Sequence, residues 1–347
     1  MEIRVYSQDL KLIGVSENQI SCTWTRKYNE VGKFEIHLPI TSDNVALYQR
    51  NNIVWLYGAY EAGVIEAIKY NQTNKVNKMV VTGRFLESYL DRRVIQSVFN
   101  FSGKTEVAMR QIMSDASLPN IILGDLKGFD ETISFQTSWK SRLTIMQKIA
   151  AASSLGFRIK PNFAKRQLSF EVFKGLKRTR SQHERNFVEF SDEFNNLDTS
   201  TYNINGQLEK NVAYVLGEGE GTDRKVVVVG DDTLTGLERK ELYVDARDLQ
   251  STDLTDEEYE ALLRQRGEEK LSENTLSTSF ECDTIALGNF KYMIDYDLGD
   301  IVTVKKNAWG LSSELRITEI MEVYEHEVMK VVPTLGNPLP TTLDLED

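Results

Sequence analysis

The sequence predicts a mixed β and α+β protein in which two β-rich regions flank a smaller α/β module. Three observations carry this. Residues 1–97 and the stretch beyond 186 consist mostly of short runs in which apolar and polar residues alternate, the period of a half-buried strand. Between them, over about residues 98–178, the apolar residues recur at steps of three and four, the period of a helix. Asn, Gly and Asp separate the runs, and these are the residues turns use.

The 347 residues correspond to two or three domains at roughly 100–200 residues each. The predicted division is an N-terminal β region at 1–97, an α/β module at 98–178, a C-terminal β-rich region at 179–335 and an exposed tail at 336–347. Apolar content of 41% is enough for real cores. A net charge of -11 argues against a free-standing nucleic-acid binder, which has phosphates to neutralise.

In the first region, KFEIHLP places Phe34, Ile36 and Leu38 on one face and Lys33, Glu35 and His37 on the other. NIVWLY, GVIEAIKY and NKMVVTGRF read as further strands, the last two joined by the polar NQTNKVN. Many short strands with little helix predict a barrel or sandwich.

In the module, FSGKTEVAMRQIMSDA reads as a helix opening at Ser102 or Gly103, with Ala108, Met109, Ile112 and Met113 apolar. SWKSRLTIMQKIAAASSLG reads as a second helix, its stripe formed by Trp139, Leu143, Met146, Ile149, Ala150 and Ser153 and its end set by Gly156. FRIKP and RQLSFEVF then form a strand pair. A charged connector follows, KGLKRTRSQHER, and residues 158–185 hold nine Lys or Arg against two Glu. That pattern suits a nucleic-acid contact, a solvated linker or an acidic partner, and few aromatics interleave as stacking platforms.

In the last region, NVAYVLG, KVVVVG, STSFECD, FKYMIDYD, DIVTVKK, SSELRITEIMEVYE and HEVMKVVPTLG read as strands. LTDEEYEALLRQRGEEKLSE interrupts them as a helix, with Thr255 and Glu258 spaced as a capping box. Its segment 248–273 has nine acids against three bases, and Tyr259, Leu262, Leu263 and Leu271 give only a partial apolar stripe. It is expected to show an acidic outer face and to lie on a surface or across a partner.

Gly217, Gly219 and Gly221 precede four valines. A dinucleotide or P-loop site needs a helix after its glycines, and here a strand follows. Glu218 and Glu220 would also repel phosphate. The stretch is read as a polar turn, of the kind a long acidic hairpin projecting from a barrel would have. Cys22, Cys282, His37, His183 and His326 lie far apart, without the paired spacing of a zinc site. Buried or exposed single cysteines suit a reducing compartment. MEIRVYSQDLKLIG lacks the layout of a signal peptide, and no apolar stretch approaches 18 residues. No catalytic, cofactor-binding or metal residue is assigned, no cofactor is implied, and the chain does not read as an enzyme.

Four stretches together carry a resemblance. They are IRVYSQD with SCTWTRKYNEVGKFEIHLP, whose skeleton is Trp24, Arg26, Tyr28, Gly32 and Phe34; ERKELYVDARDL, with Arg239, Glu241, Asp245, Arg247 and Asp248; YDLGDIVTV, with Leu298, Gly299 and Asp300; and PTLGNPLPTTLD. In this order and spacing the chain resembles the tail-associated, baseplate-hub proteins of Gram-positive siphophages and prophages, the siphovirus ReqiPepy6-type tail protein family. More distantly it is similar to the baseplate hub of contractile tails.

The resemblance implies a multi-domain hub with two β-barrel-like tube domains and a smaller α/β module. It implies a homotrimer whose ring adapts a sixfold tail tube to a threefold tip and conducts DNA without binding it specifically. The partners implied are the distal tail or adaptor ring protein, the tape-measure protein and the receptor-binding or tip proteins. The place implied is the distal virion tail, after synthesis in the bacterial host cytoplasm, with no stable membrane association. Because no room remains for a wall-degrading or adhesion domain, those activities are expected to belong to separate proteins.

ERKELYVDARDL is expected to form an ordered Arg–Asp network that locks domains or neighbouring subunits. The basic 158–185 and acidic 248–273 segments are expected to meet across an interface. The competing readings are the hub of a contractile tail-like particle, a carbohydrate-binding module, and a hydrolase of unrecognised type. A carbohydrate module would want an aromatic row, whereas Trp24, Trp55, Trp139 and Trp309 are scattered in the sequence.

Overall fold

The computed structural model describes residues 1–73, 77–194, 196–252, 254–284, 289–325 and 328–336. One hydrogen-bonded path of strands runs through both β regions, and the sheet it forms has fourteen strands among the described residues. The strands that join them are Ser21–Lys27 and Leu311–Glu325, antiparallel from Ser21 opposite Glu325 to Lys27 opposite Glu319. On the N-terminal side the order continues through Lys33–Pro39, Asn77–Phe85, Gly63–Gln72, Ile53–Leu56 and Ile3–Tyr6 to Leu12–Ser16. On the other side it passes through Val328–Gly336 and Ser277–Thr284 to Leu197–Asn205.

Leu311–Glu325 has 15 residues, well beyond the usual strand length of about five or six, and its two halves have different partners. Residues Leu311 to Arg316 pair with Ile301–Lys306, and the later half pairs with Ser21–Lys27 on one side and Val328–Gly336 on the other. The path is open, ending at Leu12–Ser16 and Leu197–Asn205, so the expected barrels are not closed among the described residues. The long strand turns what the sequence suggests are two separate sheets into one.

The predicted strand faces are borne out where alternation is strict. Phe34, Ile36 and Leu38 are buried while Lys33 and Glu35 are exposed. The helix Thr105–Ser114 buries Ala108, Met109, Ile112 and Met113 as expected. Its start differs from the expectation. Ser102 and Gly103 belong to the strand Phe99–Lys104, which pairs with Thr132–Thr137, because Phe99 and Phe101 pack with Phe135 at ring separations of 5.7 and 6.1 Å.

The second helix is Arg142–Ser153, and Leu143, Met146, Ile149 and Ala150 form its buried stripe. Trp139 does not join them: it precedes the helix at φ 50° and is 71% exposed. Ser154 rather than Gly156 takes the left-handed position that ends the helix. The strands Gly156–Asn162 and Gln167–Phe173 pair as expected. The connector is not a free linker, since Lys177–Arg178 pairs in parallel with Ile301–Lys306.

In the last region FKYMIDYD is a correction. Residues 291–296 form turns with Met293 at φ 65°, because Asp295 accepts from the Lys291 N–H and local side-chain bonding of this kind competes with a sheet. The hairpin Val212–Leu216 and Val226–Gly230 does not project from a barrel. It belongs to a separate three-stranded sheet with Glu241–Asp245, parallel to Val212–Leu216.

The helix Asp256–Glu273 has the capping box at Thr255 and Glu258, and it covers this sheet. Its buried face is Tyr259, Leu263 and Gly267, one residue every four. Gly267 is invisible to an apolar count, yet a Cβ there would stand 2.6 Å from Val215 Cγ2. The N-terminal sheet and the α/β module share one core, a second core lies in the C-terminal region, and a third is that of the small sheet and its helix.

Candidate functional site: the seam between the two β regions

Arg26 lies at the seam, buried, on the strand that pairs with Leu311–Glu325. Its guanidinium donates two bonds to Glu61, at 2.9 and 3.0 Å, and one each to Asp297 Oδ1 at 2.7 Å and the Tyr292 hydroxyl at 2.8 Å. Tyr292 in turn donates to Glu322 at 2.7 Å, and Tyr324 donates to the other Glu322 oxygen at 2.6 Å. One planar fork thus ties residues 26 and 61 of the first region to residues 292, 297 and 322 of the last. Burial pulls the Arg26 pKa down, and Glu61, Tyr292 and Asp297 outweigh it, so the group stays charged. Burial pushes the Glu322 carboxyl up. Removing one partner from a buried pair of this kind costs about 3–5 kcal/mol, because the remaining charge is left uncompensated.

Tyr28 sits two residues further on, where three parts of the chain meet. Its hydroxyl donates to the Ser154 carbonyl at 2.9 Å and accepts from Gly175 N–H at 3.2 Å. Its ring leaves no room for a Cβ at Gly156 or Gly299, with approaches of 2.7 and 2.3 Å. Gly175 in turn lies against the Gly299 carbonyl, where a Cβ would be 1.8 Å away. Asp300 is buried and accepts from Leu176 N–H at 2.7 Å and Arg178 Nε at 2.9 Å. The Leu298–Gly299–Asp300 turn therefore anchors the basic connector. Burial raises the Asp300 pKa against these donors.

The residues that carry the opening part of the resemblance all build this seam. Trp24, Arg26, Tyr28 and Phe34 are buried, and Gly32 has Phe85 and the Thr25 carbonyl at 2.5 Å from where a Cβ would lie. Glu61 and Glu87 could not be singled out in the sequence, because the residues they serve lie far along the chain. Glu87 is buried where the module meets the first sheet and accepts from Ile159 N–H at 2.5 Å. Burial pushes its pKa up to about 8.

ERKELYVDARDL does form an ordered network, which acts within the small sheet and its helix. Arg239 bonds Asp232, Glu241 and the Tyr214 hydroxyl. Asp245 receives Arg247 and Arg224, which hold its carboxyl down to about 2. Asp248 takes two bonds from Arg266, both 3.1 Å. Among the described residues, polar contacts from this unit to the module are Gln250 N–H to Gln136 at 3.2 Å and Lys148 to Glu273 at 3.4 Å.

Between that helix and the module lies a cleft of about 520 Å³. The basic 158–185 segment finds its own carboxylates within the chain, Glu171, Asp300, Glu189 and Glu314 among them. Among the described residues of one chain its ion-pair partners do not include the acidic 248–273 segment, whose pairs are internal or to Lys148 and Lys225.

The remaining singled-out residues have ordinary settings. Cys22 and Cys282 are buried. His37 pairs with Glu35 at 2.6 Å, His183 is exposed, and His326 lies outside the described residues, as does the segment 337–347. Gly219 and Gly221 take positive φ in the turn between two strands. The tryptophans form no row: Trp24 is buried, Trp55 packs on Phe163, and Trp139 and Trp309 stand elsewhere, exposed. Among the described residues no cluster of His, Cys, Asp or Glu could hold a metal ion. No helix among them is long and apolar enough to cross a membrane.

A family model described as Siphovirus ReqiPepy6 Gp37-like protein matches residues 2–337. The chain belongs to this family. Among curated protein sequences none matches it. In fold the chain is similar to the tail protein from Neisseria meningitidis MC58, with TM-score 0.61 and 12% identity over 96% of each chain. It is also similar to the 43 kDa tail protein of prophage MuSo2 from Shewanella oneidensis, with TM-score 0.59 and 12% identity over 97% of this chain and 99% of that one. The prophage tail protein gp18 from Listeria monocytogenes EGD-e gives TM-score 0.56 and 12% identity over 97% and 95%. At such identity the likeness is one of fold, and it extends over nearly the whole chain in each case.

Proposed function

We propose that this chain is a structural hub at the distal end of a phage or prophage tail. Three copies form a ring that extends the tail tube, adapts sixfold to threefold symmetry, anchors the tip and receptor-binding components, and passes DNA without gripping it. The observation that carries this reading is the seam. The two β regions are held in one sheet by Leu311–Glu325 and fixed by Arg26, so each subunit presents two β regions in a constant relation. Three such subunits present six, which is the arithmetic a symmetry adaptor needs. The net charge of -11 supports a conduit, since like charge discourages DNA from sticking. Family membership and the fold shared with phage tail proteins support the same role.

The test is solution mass by light scattering over a concentration series at low and moderate salt, alone and with the adaptor ring protein. The expected result is a particle of three times 39.7 kDa, seen as an open ring by electron microscopy. A monomer under every condition, partner included, overturns the reading. Charge reversal tests how the ring is held. Reversing either the 158–185 or the 248–273 segment weakens assembly, and reversing both restores part of it.

A further inference from the structure

We propose that a second copy of this chain docks its loop 230–239, with Leu237 at the tip, into the groove between the N-terminal hairpin and the module's turn at Phe163–Lys165. The proposal rests on the reading of the chain as a ring of three and names a contact that holds such a ring.

The groove measures about 720 Å³, within the range of roughly 300–1,000 Å³ typical of built pockets. Two parts of the chain build it. Phe163 stacks on Tyr6 of the strand Ile3–Tyr6, with ring centres 3.6 Å apart, and lies 5.3 Å from Trp55. Asn162 fixes the turn by accepting from Lys165 N–H at 3.1 Å. Leu12 is exposed beside these rings. The charged residues of the lining are Arg4, Lys11 and Arg166, with no carboxylate among them. Glu2 pairs with Arg4, and Lys11 and Arg166 have no ion pair among the described residues. The groove is thus aromatic and carries two unspent positive charges.

The loop has the complementary pattern. Leu237 is 99% exposed, more than any other large apolar side chain among the described residues. Asp231, Asp232 and Glu238 accompany it, and residues 230–238 hold no cation. Asp232 is taken by Arg239, whereas the carboxylates of Asp231 and Glu238 have no ion pair among the described residues. Two unpaired acids beside an apolar knob therefore match two unpaired cations beside an apolar groove.

The tip is also shaped before it docks. Gly236 takes φ 59° in the turn Gly236–Glu238. Arg239 donates to the Asp232 and Leu234 carbonyls at 3.2 and 3.1 Å, and the Asn211 amide donates to the Glu238 carbonyl at 2.7 Å. Docking of a preformed tip onto a preformed groove loses little conformational freedom. Within one chain Leu237 is bare, so it does not fill that chain's own groove. Groove and tip are different surfaces, and contacts repeated head to tail in this way close into a ring.

Disulfide trapping between separately purified full chains tests the proposal, at the concentrations of the light-scattering series, alone and with the adaptor ring protein. Thr235→Cys on one chain is mixed with Ala164→Cys on the other. Both positions are exposed, and both variants keep Leu237 and the charged groups. Thr235→Cys mixed with Glu268→Cys, an exposed position outside the groove, is the control. Cys22 and Cys282 are buried, and their background is measured on the unaltered chain. The expected result is a cross-link between chains that forms at least tenfold faster for the 164 mixture. Adding Leu237→Asp removes that advantage. Adding Asp231→Lys with Glu238→Lys also removes it, and Lys11→Glu with Arg166→Glu on the other chain brings part of it back. Leu237→Asp alters one exposed side chain, so its result stands even where a charge variant fails to fold. Equal rates for the two mixtures, no response to Leu237→Asp, or equally fast linking of Thr235→Cys to itself overturns the proposal. A trimer by light scattering without the 164 cross-link overturns this contact and leaves the ring standing. The cross-link without a trimer upholds the contact and counts against the ring.

Discussion

Gly299 and Tyr28 are in contact so close that a Cβ at Gly299 would stand 2.3 Å from the Tyr28 ring. The same glycine has φ 92°. Gly58 shares that φ and has open space around it. Gly58→Ala therefore measures the backbone cost alone, about 1 kcal/mol. Gly299→Ala adds overpacking and is expected to cost at least about 1–3 kcal/mol more. Urea unfolding of the two variants gives the comparison, and equal losses would show that the ring can yield.

The Arg26 fork makes a second prediction. Arg26→Met leaves Glu61 buried beside Tyr292 and Glu322 without its cation, and the expected loss is about 3–5 kcal/mol. Arg26→Met with Glu61→Leu removes the fully buried pair, leaves only the partly exposed Asp297 without its cation, and is expected to recover a large part of it. Chemical denaturation checks both. A double variant no better than the single one would mean that the geometry of the fork, rather than its charge balance, is what matters.

Glu87 predicts a pH dependence. Its folded pKa of about 8 lies above the ordinary 4.5, so the folded state holds a proton that the unfolded chain releases. The contribution is fully present below about pH 4.5 and is lost as pH rises to about 8. Burial raises Glu322, Asp300 and Glu319 in the same direction, so the wild-type slope is shared. Glu87→Gln keeps an acceptor for Ile159 N–H and removes one titration. Its stability measured from pH 5 to 7.5 should fall less steeply than the wild type, by up to about 1.4 kcal/mol per pH unit. Parallel curves would place the proton elsewhere.

Gly267 predicts a reversal of helix propensity. Glycine to alanine within a helix ordinarily stabilises by up to about 1 kcal/mol. Here the new Cβ meets Val215 and Val229 at 2.6 and 2.7 Å, so Gly267→Ala is expected to destabilise the small sheet and its helix. Amide exchange in Val212–Leu216 reports it directly. Slower exchange in the variant would mean that the helix can lift without cost.

Alternation and local spacing were enough to read Lys33–Pro39, the two module helices, the Thr255–Glu258 cap and the turn at Gly217 to Gly221 in the sequence, because each depends on neighbours a few residues away. Trp139, Ser102 and 290–297 were misread because side chains that settle them, such as Phe135 for the strand start, are not counted by a local period. The seam was legible only as a set of residues without a reason. Trp24, Arg26, Tyr28, Gly32, Gly299 and Asp300 could be picked out, but not that Arg26 and Asp297 share a 2.7 Å bond across 271 positions.

The sequence by itself determined the β and α/β composition, the charge and most element faces, all of which follow from periodicity and residue type. Only the tertiary structure decided that the two β regions are one sheet, that Glu61 rather than a neighbour answers Arg26, and that Gly156 and Gly299 leave room for the Tyr28 ring while Gly175 lies against the Gly299 carbonyl. Those outcomes depend on close packing between residues far apart along the chain, and a period of two or 3.6 does not encode that distance.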